Sequence, residues 1–243
     1  MRYIRYNNIE VAYKANLHGG GIRFGQQFIP VVKERFGHVG HVFEFCAGPG
    51  FIGFSLLANN LCDKLTVADI NPEAVKVLNE TIKKNGLESR VAVYLSDCLD
   101  SIPETEKWDL VVGNPPHVFC ATEDEYKKNI ILFDPNFNIH RRFYRDIRKF
   151  LKPAGSILLQ EHTESTNIGD FKNMIEENGL KIIDVFVYTP PLEPDSKKGA
   201  IGFNLPTLQK VASPFRVYKA IKRRLWPTKP RNYYFIWCQT SQN

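Results

Sequence analysis

The chain has 243 residues, 43% hydrophobic and 24% charged, which is enough apolar material for one substantial α/β domain. No apolar run approaches the ~20 residues a membrane span needs, the opening stretch Met1–Asn8 has no apolar core of a secretory signal, and five scattered cysteines without a C-x-x-C pair fit reduced thiols of a cytoplasmic protein. The net charge of +6 is concentrated: ten Lys or Arg and no Asp or Glu lie between Lys197 and Arg231.

From residue 41 onward short apolar runs alternate with helical patterns, as in a doubly wound parallel sheet. Residues 41–46 read as a first strand, followed by a Gly-rich turn and a helix through Leu56-Leu57-Ala58. Residues 64–69 read as the second strand. The next helix has Asn71 as N-cap, Pro72 at its first position and Asn85-Gly86 as its stop, with Val75, Leu78 and Ile82 on one face. Strands three and four are expected at 90–95 and 108–113. A helix over 141–151 is expected to end at Pro153 and Gly155, followed by strand five at 156–161. A helix at 168–178, strand six at 181–189 and strand seven at 232–238 complete the pattern. The connection before strand seven is a Pro-rich basic insert.

Gly48-Pro49-Gly50-Phe51-Ile52-Gly53 matches G-x-G-x-x-G between a strand and a helix, where glycines let a cofactor approach the backbone. The pattern alone also serves NAD and FAD sites. Asp69 ends the second strand, where a carboxylate can accept from two ribose hydroxyls, and Asp97 ends the third, in reach of an adenine amino group. Glu44, inside the first strand, needs a partner if buried, and a cationic ligand nearby could organise one. Asn114-Pro115-Pro116-His117 follows the fourth strand at the carboxyl edge of the crevice. The Asn114 side-chain oxygen and the Pro115 carbonyl are placed to accept from one NH2 group and to aim its lone pair at an electrophilic methyl.

Glu44 through Gly50, Asp69, Asp97 and Asn114 through His117 together resemble, in order, the motifs of class I S-adenosylmethionine-dependent methyltransferases. The subgroup with Asn-Pro-Pro and an aromatic residue is most similar; it includes release-factor glutamine methyltransferases and RNA adenine and guanine methyltransferases. Leu151-Lys152-Pro153-Ala154-Gly155 resembles the family's motif before strand five. Gly20 through Gln27 resembles the segment that closes over the cofactor. The resemblance implies a Rossmann-like seven-stranded sheet, six strands parallel and the last antiparallel, with helices on both faces. It implies a methyltransferase domain over 41–243 with a basic insert at about 190–231, preceded by an N-terminal segment and lid over 1–40. It implies S-adenosylmethionine bound by Glu44, Cys46, Ala47, Gly48, Gly50, Gly53, Asp69, Ile70, Asp97, Cys98 and Asn114, with Asn114, Pro115 and His117 at the chemistry. No metal is implied.

His117 departs from the usual Tyr, Phe or Trp. Imidazole can stack on a planar target, and it can also take a proton near neutral pH. Residues 118–138, with Glu123-Asp124-Glu125 and the aromatics Phe133 and Phe137, lie where a substrate lid is expected. Within the basic segment, Ser213-Pro214 can open a helix whose Val217, Ile221 and Leu225 share a face, so it reads as a nucleic-acid grip, a surface for an acidic membrane or partner, or a solvated face. The first forty residues are too few for the helical recognition domain of a release-factor methyltransferase. The expected acceptor is an amide or amine of a small molecule or peptide. The alternative is a nucleic-acid base methylated with the help of 197–231.

Overall fold

The computed structural model describes residues 1–17, 22–188 and 233–241. Two short strands, β1 (Arg2–Tyr6) and β2 (Ile9–Tyr13), pair as an antiparallel hairpin. Next come α1 (Ile22–Arg35), β3 (Val39–Phe45), α2 (Phe51–Ala58), β4 (Cys62–Asp69), α3 (Pro72–Asn85), β5 (Val91–Leu95) and β6 (Trp108–Gly113). The chain then forms β7 (Val118–Cys120), α4 (Glu123–Lys128), β8 (Phe133–Pro135), α5 (Asn138–Asp146), β9 (Leu151–His162), α6 (Ile168–Glu176), β10 (Leu180–Phe186) and β11 (Tyr233–Thr240).

Seven strands form one sheet in the order β10-β11-β9-β6-β3-β4-β5. β11 runs antiparallel to both of its neighbours, while β9, β6, β3, β4 and β5 are mutually parallel. The expected Rossmann-like sheet with an antiparallel last strand is therefore present. That strand lies inside the sheet, between β9 and β10.

Period-two alternation on β3 sorts its side chains to two cores. Val42 packs on the side of α2, against Phe54, Leu56, Phe28 and Phe235. Phe43 and Phe45 point to the opposite face, where Phe43 stacks on Trp108 at 4.0 Å, Trp108 on Phe150 at 5.1 Å, and Phe45 on Phe143 at 4.4 Å. All eight residues of α2 are buried, as a sequence apolar but for Ser55 requires, and the Ser55 hydroxyl donates to the Ile52 carbonyl at 2.7 Å. α3 starts and stops where its end signals place it: the Asn71 side chain accepts from Glu73 N–H, and Gly86 closes the helix in a left-handed conformation.

Some boundaries differ from expectation. The helix expected over 141–151 begins at Asn138 and passes into a 3-10 turn over Ile147–Phe150. Pro153 and Gly155 do not end it; they lie inside the twelve-residue β9, which starts five residues earlier than expected. Pro153 is tolerated there because the β6 register shifts between Trp108 and Leu110, freeing the ladder at that point. Residues 118–138 fold into β7, α4 and β8, with a capping box at Thr122 and Glu125. The basic insert, with its expected helix after Ser213, lies outside the described residues. Among the described residues no helix is long and apolar enough to cross a membrane.

Candidate functional site

Glu44, Asp69, Asp97 and Asn114 lie at or just beyond the carboxyl ends of β3, β4, β5 and β6, and the same end of β9 adds Glu161, which was not singled out. Between β3 and α2, Cys46 adopts a positive φ of 51° and Gly48 one of 52°. Gly48 is required twice: a Cβ there would sit 2.9 Å from the Leu17 carbonyl, and its N–H donates to Asp69 Oδ2 at 2.7 Å. Asp69 Oδ1 accepts from Asn71 N–H at 2.9 Å. Each Asp69 oxygen keeps a second lone pair for an incoming hydroxyl. Burial raises the Asp69 carboxyl, opposed by these backbone donors. Ile70, next in the chain, is 46% exposed and offers an apolar surface beside it.

Glu44 is buried on the α2 side of β3. Its carboxylate accepts from Gly53 N–H at 2.7 Å and Ile52 N–H at 3.2 Å, at the positive end of the helix. The partner this buried acid needs is thus the helix itself. Burial still pushes its carboxyl up to about 8, against the pull of those donors. Gly53 permits the approach: a Cβ there would lie 2.8 Å from Glu44 Oε2 and 2.5 Å from Leu65 Cδ1. Gly53→Ala is therefore expected to lower stability by about 1–2 kcal/mol, the overpacking exceeding the helical gain of alanine, as measured by denaturant unfolding.

Asp97 lies just beyond β5 as expected, but its carboxylate is gripped by a residue the sequence did not single out. Arg142 of α5 donates to both of its oxygens at 2.9 Å and to Asp100 at 2.8 Å. Cys98, beside it, takes a positive φ of 49° and directs its thiol to the Ile139 carbonyl at 3.8 Å. Ala47 is buried, and its N–H is donated to the Ala68 carbonyl, tying the turn to β4.

After β6, the Asn114 side-chain oxygen is buried and accepts no hydrogen bond from the described residues. His117 is 7% exposed, its ring stacked near His162 at 5.8 Å and met edge-on by Tyr233 at 6.2 Å. Burial, reinforced by the neighbouring His140 and His162, pushes its imidazole down to about 4, so the ring is neutral at pH 7. Behind it stands a cluster that sequence reasoning missed. His140 is wholly buried, with Nδ1 2.6 Å from Asp134 Oδ2 and Nε2 3.0 Å from Glu161 Oε1. One signal for Glu161 was available: it is an acid at the carboxyl end of a central strand, the criterion that selected Asp69 and Asp97. Asp134 and His140 carry no such signal. Of the segment from Gly20 to Gln27, Gly20 and Gly21 lie outside the described residues and the rest belongs to α1, where Gln27 accepts from Gln160 of β9 at 2.6 Å.

A parallel sheet with this strand order, a glycine turn after its first parallel strand and acids at the next two strand ends defines a Rossmann-like methyltransferase fold. Residues 24–183, about two thirds of the chain, match the methyltransferase small domain family, and the chain belongs to that family. The chain is 26% identical over 166 residues to the release factor glutamine methyltransferase of Streptococcus pneumoniae, covering 59% of this chain and 58% of that protein. It is 32% identical over 109 residues to the corresponding enzyme of Leptospira interrogans, covering 44% and 38%. It is 28% identical over 144 residues to a ribosomal protein uL3 glutamine methyltransferase of Francisella tularensis, covering 55% and 45%. The chain thus spans little more than half, or less, of the length of these relatives. Among solved structures, the M. jannaschii tRNA m1G37 methyltransferase superposes with a TM-score of 0.58 at 15% identity, over 99% of this chain and 57% of that one. A protein of the NADB-Rossmann superfamily from Streptococcus agalactiae gives 0.53 at 11%, over 89% and 68%. These two likenesses concern the fold.

Proposed function

We propose that the chain is an S-adenosylmethionine-dependent methyltransferase that methylates a nitrogen of a small molecule or peptide. The observation that carries this reading is the Asn114 Oδ1 atom, buried at the carboxyl end of β6 and without a hydrogen-bond partner among the described residues. A buried amide oxygen without a donor is costly, and an N–H group of a ligand is what would satisfy it. The relatives named above as glutamine methyltransferases support a protein or peptide amide, or an amine, as the acceptor class.

The residues present fit the nucleoside. Gly48 leaves the turn open to close approach, and Gly50 continues it into α2 with a φ of 79°. Asp69 keeps lone pairs for the ribose hydroxyls, Ile70 gives an apolar face for the base, and Asp97 with Cys98 borders the base edge. Glu44 and Gly53 hold the α2 end of the turn in place, with Cys46 and Ala47 shaping its entry. When bound, the cofactor supplies an electrophilic methyl on a sulfonium. The chain's own part is to orient the acceptor nitrogen through Asn114 and the Pro115 carbonyl while His117 closes the pocket against water.

Calorimetric titration with S-adenosylmethionine and S-adenosylhomocysteine tests the reading. Saturable micromolar binding is expected, and its absence at millimolar ligand overturns the assignment. Asp69→Ala is expected to weaken nucleoside binding at least ~tenfold, since two hydrogen bonds to a charged group are lost. Salt-sensitive binding of RNA by the full chain would instead move the acceptor toward a nucleic-acid base read with the help of residues 197–231.

A further inference from the structure

The turn that follows β5 is held from outside by α5. Arg142 Nη1 donates to Asp97 Oδ1 and Oδ2, both at 2.9 Å. Its Nη2 donates to Asp100 Oδ2 at 2.8 Å and to the Asp97 carbonyl at 3.4 Å. One guanidinium thus fixes the carboxylate and the main chain of Asp97 together, and a second acid keeps that guanidinium in place. Cys98, next in the chain, has a φ of 49°, and its thiol reaches the Ile139 carbonyl of α5 at 3.8 Å.

The helix is itself a fixed support. Asp134 is wholly buried and accepts from the N–H groups of Ile139 at 2.8 Å and His140 at 3.2 Å, in the first turn of α5. Phe143 and Tyr144, directly after Arg142, are buried too. The Arg142 side chain is 20% exposed, whereas that of Asp97 is 50% exposed. The arginine is laid against protein, and the carboxylate it holds stays open to a ligand. Each Asp97 oxygen has lone-pair capacity beyond what Nη1 occupies. An ion pair with so exposed a carboxylate adds little to stability, so what the arrangement secures is orientation.

We propose that Arg142 is a positioning residue that sets which purine the nucleoside site accepts. This rests on the reading of Asp97 as the contact to the base edge. A carboxylate only accepts hydrogen bonds, so it suits the 6-amino group of adenine. The 6-oxo group of hypoxanthine turns lone pairs toward the same oxygens and is repelled. A half-exposed carboxylate free to rotate would swing away from that repulsion, and the discrimination would fade. Held through both oxygens by Arg142, it keeps one orientation for either base. Lysine cannot take this part, because a single ammonium lacks the planar fork that spans Asp97 and Asp100.

The test is calorimetric titration of the full chain with S-adenosylhomocysteine and with its deaminated analogue, S-inosylhomocysteine. The wild-type protein is expected to prefer the adenine compound at least ~tenfold. Arg142→Met and Arg142→Lys are each expected to bring that preference within about threefold. Urea unfolding shows whether the variants are folded, and either one carries the test if the other is not. A merely structural role of Arg142 would weaken both ligands alike, and that unchanged ratio overturns the proposal. Asp97→Asn, whose amide can turn a donor or an acceptor to the base, is expected to abolish the preference. A preference lost in Asp97→Asn but kept in both Arg142 variants strikes the role of Arg142 alone. A preference kept in Asp97→Asn, or equal binding of the two ligands by the wild type, removes the base contact and the proposal with it. Binding of neither ligand by the wild type overturns the cofactor reading and this inference together.

Discussion

Asn114→Ala is expected to lower methyl transfer by about 10²–10³-fold while leaving S-adenosylhomocysteine affinity within about threefold. The reasoning is local. Asn114 follows the last residue of β6, and the two prolines after it fix its backbone, so its carboxamide has little freedom. Its Oδ1 has no partner among the described residues, so truncation breaks no hydrogen bond of that atom to them and stability changes little. What is lost is the acceptor that aims the reacting nitrogen. Turnover with a radiolabelled methyl group, set beside calorimetry, checks both halves. Lost nucleoside binding with the rate per bound nucleoside unchanged would place Asn114 in the nucleoside site instead.

His140→Ala is expected to cost about 3–5 kcal/mol, the range seen when one partner of a buried ion pair is removed. Asp134 and Glu161 are both fully buried, and the variant leaves their charges together without the imidazolium. Equilibrium urea unfolding of the two proteins measures the difference. The pH dependence gives a second reading. Burial opposes the charge on His140, but Glu161 and Asp134 override it and hold the ring at about 9. Its folded value thus lies above the ~6.5 of an unfolded histidine, so its contribution is complete below that pH and is lost as pH rises through 9. His117 has the opposite sign: held at about 4, it withdraws stability as pH falls from ~6.5 toward 4. The stability difference between wild type and His140→Ala should therefore be largest below pH ~6.5 and shrink as pH rises through 9.

The sheet was legible because its parallel strands are buried apolar runs separated by turn residues with clear end signals. Asn71-Pro72 and Asn85-Gly86 bracket α3 to the residue. The first strand and its acids were found for the same reason: a glycine turn and carboxyl groups at strand ends are local in sequence. The other half of the site was not. Arg142 reaches Asp97 across 45 residues, and Asp134, His140 and Glu161 come from β8, α5 and β9. No period or spacing links such residues; only the closing of the sheet brings them together. The early start of β9 was missed because Pro153 and Gly155 read as breakers, whereas a register shift against β6 accommodates them. The N-terminal hairpin was missed because its first strand, Arg2–Tyr6, alternates charge and aromatics with only Tyr6 buried.

The position of β11 has a further consequence. It runs antiparallel beside β10, with Phe186 opposite Phe235, so the chain leaves and re-enters the sheet through two neighbouring strand ends. β11 opens with Tyr233, whose ring meets His117 edge-on. Closing a loop of chain costs only about 0.6 kcal/mol more for each doubling of its length. A change in the length of the chain between β10 and β11 therefore need not disturb the register of either strand. The pairing of Phe186 with Phe235 and of Tyr233 with His162 is set by the strands themselves, whatever the length of the chain that joins them.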